Sequence, residues 1–248
     1  MPYYLSILIL FGVGLIAGFM NVTAGGGSSL TLPSLIFLGL DSATANGTNR
    51  IAILLQNVSA VYSFKQENYK QFDISLKLSL LTLPGSIIGA LLAIKIGDEL
   101  FQKILAVVMI GIIITMIIPT KKKVEENKAN KISWQTYLAM IFVGFYGGFI
   151  QVGVGFILMA SLKYLMKLNL VYINMHKVFI VLIYTIPALI VFIVSKNINW
   201  FMGIGLAAGN MIGGWWGAKL SVKKGEKFIR MFLMAAIFVI ALKLFGVF

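Results

Sequence analysis

NVTAGGGSSLTLP, Asn21 to Pro33, decides how this chain folds, together with ANGTNR, Ala45 to Arg50. Gly25, Gly26 and Gly27 stand in a row between two apolar runs, with Thr23, Ser28, Ser29 and Thr31 around them. Each glycine costs a helix about 1 kcal/mol relative to alanine, so the row interrupts helix. It leaves backbone N–H groups free and lets a ligand or another backbone come close. In hydrocarbon, irregular backbone survives only where protein or a watery cavity covers it. The stretch is therefore either a turn outside a membrane or a broken helix lining a site inside one, and we read it as the second.

Outward from this stretch the chain is apolar. Of its 248 residues 59% are hydrophobic and 12% charged, and mean hydropathy is +0.94. These values describe a multi-pass membrane protein rather than a soluble domain. The net charge of +13 does not imply a nucleic-acid partner, because the lysines collect in connections between apolar runs, where they act as topology signals. The absence of cysteine excludes disulfides, thiol chemistry and Cys-ligated metals. One histidine and eight carboxylates leave little for a metal site. Gly25 to Gly27 is no phosphate loop, since no strand precedes it and no Gly-Lys-Ser/Thr follows. No enzyme, metal or cofactor is expected. The first apolar run lacks a basic start and a small-residue cleavage site, so it does not read as a cleaved signal peptide.

Apolar segments are expected at about 4–22, 28–39, 43–64, 74–95 and 101–118, then at 135–151, 154–166, 171–195, 200–220 and 228–246. A crossing needs about 20 helical residues, so 28–39 and 154–166 cannot cross alone. Each follows a glycine break, and such segments in corresponding halves point to a transporter's site. The halves do correspond. A shift of 128 takes Gly25 to Gly153, Gly27 to Gly155, Asn46 to Asn174, Asn49 to Lys177 and Asn57 to Thr185. A shift of 124 takes GSIIGALLAIK (Gly85, Gly89, Ala93, Lys95) to GNMIGGWWGAK (Gly209, Gly213, Gly217, Lys219).

The expected fold is an all-α polytopic membrane protein of two inverted repeats. Each repeat is a glycine-broken pair of short helices plus three spanning helices. The repeats are residues 1–118 and 134–248, joined by a basic cytoplasmic connection at 119–133. Lys65 and Lys70, the lysines of 119–133, and Lys219, Lys223, Lys224 and Lys227 go to the cytoplasm, which leaves both termini outside. Rows of small residues such as Gly209, Gly213 and Gly217 pack within or between protomers, and a homodimer is expected.

On the helix beginning near Ala43, Asn46, Arg50 and Asn57 share a face, with Arg50 about 10 Å along it. An ionisable group at that depth is a functional candidate, and its planar fork suits carboxylate, sulfonate or phosphate oxygens. The bland reading has Arg50 and Lys177 snorkel to the headgroups. Tyr184 adds polarity near the second break, and His176 is expected to make an interhelical hydrogen bond. Asp41, Glu67, Asp73, Asp98, Glu99, Glu125, Glu126 and Glu226 all lie at segment ends or in connections. A site that is positive and neutral-polar, with exposed N–H groups and helix N-termini, suits an anion. The expected binding set is Asn21, Thr23, Gly25, Gly26, Gly27, Ser28, Ser29, Asn46, Asn49, Arg50 and Asn57, with Gln151, Gly153, Asn174 and Lys177 from the second half. The expected partners are a small anionic substrate and the lipid bilayer.

Gly18, Gly25 to Gly27 and Pro33, followed by ANGTNR, resemble the TauE/SafE sulfite exporter family, and GFYGGFIQVGVGFIL in the second half is similar to that family's repeat. The resemblance covers nearly the whole chain. It implies passage of small anions, often sulfur-containing, across the cytoplasmic membrane. The second copy departs from the first: Val154 interrupts the glycines, Ser161 stands in the place of Pro33 and Val178 in that of Arg50. The expected function is a secondary transporter of sulfite, a sulfonate or a similar anion by alternating access. A passive anion channel and a non-transporting membrane subunit are the alternatives.

Overall fold

A computed structural model describes residues 3–117, 133–166 and 168–244. The described residues form helices and no strand: α1 (Tyr3–Thr23), α2 (Ser28–Phe37), α3 (Ser42–Gln66), α4 (Phe72–Lys95), α5 (Asp98–Ile117), α6 (Trp134–Phe149), α7 (Val154–Met166), α8 (Leu170–Val194) and α9 (Trp200–Leu244). Gly225 is non-helical at φ 69°, which divides α9 into two arms. Apart from Ser133, the connection expected at 119–133 lies outside the described residues. The chain is a membrane protein: α1, α4 and α8 are long and apolar enough to cross a bilayer. The short members of the broken pairs are α2, with 10 residues, and α7, with 13. Of their partners, α1 has 21 residues, enough to cross, and α6 has 16. The first break therefore joins a helix of crossing length to a short one, which corrects the expectation of two short helices there, while both helices of the second break are short of a full crossing.

The helix ends follow from local chemistry. The Asp41 side chain accepts from Thr44 N at 3.0 Å, and Asn169, 128 residues on, caps α8 in the same way. Gly39, Asn68 and Lys196 take positive φ just past α2, α3 and α8. The next residue then bonds back five places, Leu40 N to Leu35 O, Tyr69 N to Phe64 O and Asn197 N to Phe192 O, closing the orphan carbonyls in the Schellman manner.

The small-residue rows bring helices into backbone contact. A Cβ on Gly148 of α6 would fall 2.1 Å from Ser86 O of α4, and one on Gly89 would fall 2.2 Å from Phe145 O. On α9, a Cβ on Gly209 or Gly213 would fall 2.1 Å from Phe11 O or Leu15 O of α1. Residue numbers rise together along both pairs, so α4 runs parallel to α6 and α1 to α9. The Gly209, Gly213 and Gly217 row packs within one chain, against α1.

Two more contacts set the remaining directions. Asn199 N donates to Thr48 Oγ1 at 2.9 Å and Trp215 Nε1 to Gln66 Oε1 at 3.4 Å, so α3 and the first arm of α9 run parallel. The interhelical bond of His176 is present, Nδ1 to Ser75 Oγ at 2.7 Å, and it sets the starts of α4 and α8 at one end. This pair repeats Thr48 with Asn199, since 48 + 128 = 176 and 199 − 124 = 75. With the connections, α1, α3 and α9 point one way and α4, α6 and α8 the other. The close packing predicts opposite outcomes for two glycines. Gly148→Ala drives α4 and α6 apart and costs about 1–3 kcal/mol. Gly12→Ala, where nothing lies within 4 Å, gains up to about 1 kcal/mol. Thermal unfolding in detergent separates them.

Candidate functional site

Both glycine breaks are buried inside protein. After α1, Gly25 takes φ 92° and its N–H reaches back to Met20 O at 3.1 Å. After α6, Gln151 takes φ 62° and its N–H reaches back to Tyr146 O at 3.3 Å, with Gly153 at φ 75° two residues on. A left-handed glutamine costs about 1–3 kcal/mol where glycine is free, and such strain clusters at functional positions. The breaks meet: a Cβ on Gly155 would fall 2.4 Å from Gly25 Cα, and one on Gly26 would fall 2.6 Å from the Phe156 ring. Only glycine permits this approach. Among the described residues the N–H groups of Gly26, Gly27 and Ser28, and of Gly153 and Gly155, have no hydrogen-bond partner.

The interrupted long arms end in unpaired carbonyls, and each is closed by the opposite half. Arg50 is 0% exposed. Its Nη1 donates to Gly147 O at 3.1 Å, and its Nη2 donates to Gly148 O and, at 3.4 Å, to Asn46 Oδ1. Asn46 Nδ2 donates to Phe149 O at 2.7 Å. The guanidinium also lies 4.8 Å from the Phe192 ring centre, a cation–π contact. Across the molecule, Lys177 Nζ donates to Asn21 O at 3.0 Å, Val22 O at 2.8 Å and Asn174 Oδ1 at 2.9 Å. Asn174 Nδ2 donates to Thr23 O at 3.3 Å. The last three carbonyls of α6 and of α1 are thus each held by an asparagine and a cation. A helix C-terminus carries about half a negative charge and orphan acceptors, which suits a cation.

A family profile described as "Sulfite exporter TauE/SafE" matches residues 10–244. The chain belongs to the TauE/SafE family. It is 29% identical to a "Probable membrane transporter protein" of Haemophilus influenzae, with 95% of this chain and 93% of that one covered. It is 28% identical to "Probable membrane transporter protein YfcA" of Escherichia coli over 95% and 88% of the two chains. It is 24% identical to "Probable membrane transporter protein YunE" of Bacillus subtilis over 97% of each. No solved structure matches.

In this TauE/SafE protein the residues singled out in the sequence divide into groups. Gly25 to Gly27, Ser28, Gln151 and Gly153 form the buried junction. Asn46 and Arg50, with Asn174 and Lys177, form the two clamps; Arg50 and Lys177 turn inward rather than toward headgroups. Thr23 and Ser29 bond carbonyls of their own break, Phe19 O at 2.7 Å and Gly26 O at 2.6 Å. Asn57 turns to its own helix, 2.7 Å from Ile53 O, and is not drawn into the Arg50 cluster. Asn21 Nδ2 donates to Gln56 Oε1 at 3.2 Å.

Asn49 is buried with neither side-chain atom partnered. The same holds for Asn210, and one polar atom is unpartnered on Arg50 (Nε), Gln56, Gln151 (Oε1), Tyr184 (Oη) and Thr31. A buried unmade hydrogen bond costs about 1–3 kcal/mol. Tyr184 and Arg50 both reach Gly147, and Gln151 Nε2 lies 3.5 Å from Thr185 Oγ1, beside Tyr184. Gln56 and Asn210 went unrecognised in the sequence, although a lone asparagine inside a glycine row was a usable signal. The clamp sets an expected outcome. Arg50→Gln uncovers the α6 carbonyls and costs about 1.5–3 kcal/mol. Arg50→Lys recovers only part of it, because charge remains and the fork is lost. Thermal unfolding of the two variants in detergent checks the order.

Proposed function

We propose that this protein is a secondary transporter of a small anion in the cytoplasmic membrane, working by alternating access between two inverted repeats. The observation that carries the anion is a charge imbalance. Arg50 and Lys177 are 0% and 2% exposed, and among the described residues no aspartate or glutamate is buried with them. A buried cation without a counter-charge is costly, and a helix end offsets only about half of it. The unpaired N–H groups at the starts of α2 and α7 add positive potential at the same junction. An anion is the chemistry this interior lacks.

Inversion is supported by direction. The first halves' α1, α3 and α4 oppose their counterparts α6, α8 and α9, and the paired contacts of Thr48 with Asn199 and of Ser75 with His176 repeat under the same shifts. The basic ends of α3 and of the first arm of α9 meet where Trp215 bonds Gln66, which suits a single cytoplasmic face. The family description names sulfite, so small sulfur oxyanions are the first substrates to test.

Proteoliposomes preloaded with unlabelled sulfite, then given labelled sulfite, sulfonates or carboxylates, test the reading. A carrier shows accelerated uptake by counterflow. A channel shows flux without counterflow, and no flux of any small anion removes the proposal. Gly26→Leu is expected to abolish uptake while the protein still inserts, because its side chain would strike Phe156 where the breaks meet. Gly12→Ala, in open space, is expected to transport normally.

A further inference from the structure

The outer face of α1 and α9 carries a feature unrelated to the junction. An apolar groove runs between these helices, lined by Leu15, Ile16, Phe19, Ile212 and Trp216. Gly213, packed backbone to backbone against Leu15, also lines it. The groove is open: Ile16 is 56% and Trp216 58% exposed. Trp216 also borders a second hollow formed with Trp215, Lys219, Leu220 and Lys223. Along α9 the numbers climb from the apolar groove to the two lysines. Lys219 stands about 9 Å beyond Gly213, at 1.5 Å per residue. Lys223 follows one turn later on the same face.

The basic end is held in place. Lys219 Nζ lies 4.3 Å from the Trp215 ring centre, and Trp215 is itself anchored through Nε1 to Gln66. A lysine held over an indole offers its remaining donors in a fixed direction. Trp216 lines both the apolar groove and the lysine-bearing hollow, as a tryptophan at an apolar–polar boundary does. A groove that is apolar along its length and doubly cationic at one end matches an amphiphile with an anionic head.

We propose that this face binds one anionic phospholipid, with its phosphate between Lys219 and Lys223 and an acyl chain in the groove beside Ile16 and Gly213. The charge complementarity selects the occupant: a zwitterionic lipid brings no net charge to the two ammonium groups, and a second copy of this chain would face lysines with lysines.

Native mass spectrometry of the full-length protein, purified from vesicles of equal parts phosphatidylglycerol and phosphatidylcholine, tests the site. Wild type is expected to retain one phosphatidylglycerol. Lys219→Gln and Lys223→Gln are each expected to lower that retention about fivefold, leaving phosphatidylcholine unchanged. Ile16→Trp keeps both charges and fills the groove, and it is expected to lower retention as well. The proposal is overturned if the double lysine variant retains phosphatidylglycerol like wild type. Equal retention of both lipids also overturns it. So does an unaffected Ile16→Trp variant, displacement by water-soluble glycerol phosphate, or a lipid-free dimer.

Discussion

Two helix ends buried inside the protein govern this molecule. When α1 stops at Thr23 and α6 at Phe149, each leaves carbonyls that water at a surface would satisfy and hydrocarbon cannot. A side chain from the same break cannot reach back over its own last turn with a full set of donors. The donors come instead from the opposite half, Arg50 and Asn46 to α6, Lys177 and Asn174 to α1. Neither half can close its own broken helix. The two must interlock, and the swapped packing of α4 on α6 and of α9 on α1 is the form that interlocking takes.

Close approach is the second constraint, and it follows from the first. A clamp works over hydrogen-bond distances, so the breaks must be pressed together until Gly25 and Gly155 touch backbone to backbone. That requires the long arms to lie as near as helices can, which is why Gly144 and Gly148, and Gly209 and Gly213, stand where α4 and α1 press against them. Larger residues would widen the interface and draw the cations off the carbonyls. Glycines at the surfaces and glycines at the breaks therefore serve the same end.

Much of this was written in side chains. The glycine row, the short apolar segments and the recurrence of Asn46 as Asn174 were visible as letters, and the glycine row and short segments located the broken helices. What stayed hidden was backbone. A carbonyl has no letter of its own, so Arg50 read as a free fork awaiting a ligand rather than as the closure of α6. The run expected at 4–22 forms a 21-residue α1 that suffices to cross, where the fold class expected a pair of short helices. The Gly209 row declared a close contact without naming the partner, and only the fold assigns that partner to α1. Asn210 was lost among its glycine neighbours because periodicity counts apolar residues and passes over a single amide.

The clamps also bear on how an anion would be moved in the proposed carrier. Hydrogen bonds from a cation to carbonyls and to an anion fall in the same range, about 1.5–3 kcal/mol net. Exchanging one set for the other is therefore close to balanced, and a small difference in affinity between conformations suffices to shift the population. Arg50 keeps Nε unpartnered while both Nη atoms hold α6, so one edge of the fork is free to a ligand before the clamp releases. Gln151, strained at φ 62° and with Oε1 unsatisfied, stands at the end of that same helix. An anion that draws Arg50 away would loosen α6 where it already stores strain. The same event at Lys177 would loosen α1, whose direction is opposite. Substrate binding and the relative motion of the halves would then be one exchange of hydrogen bonds, which is the coupling that alternating access demands.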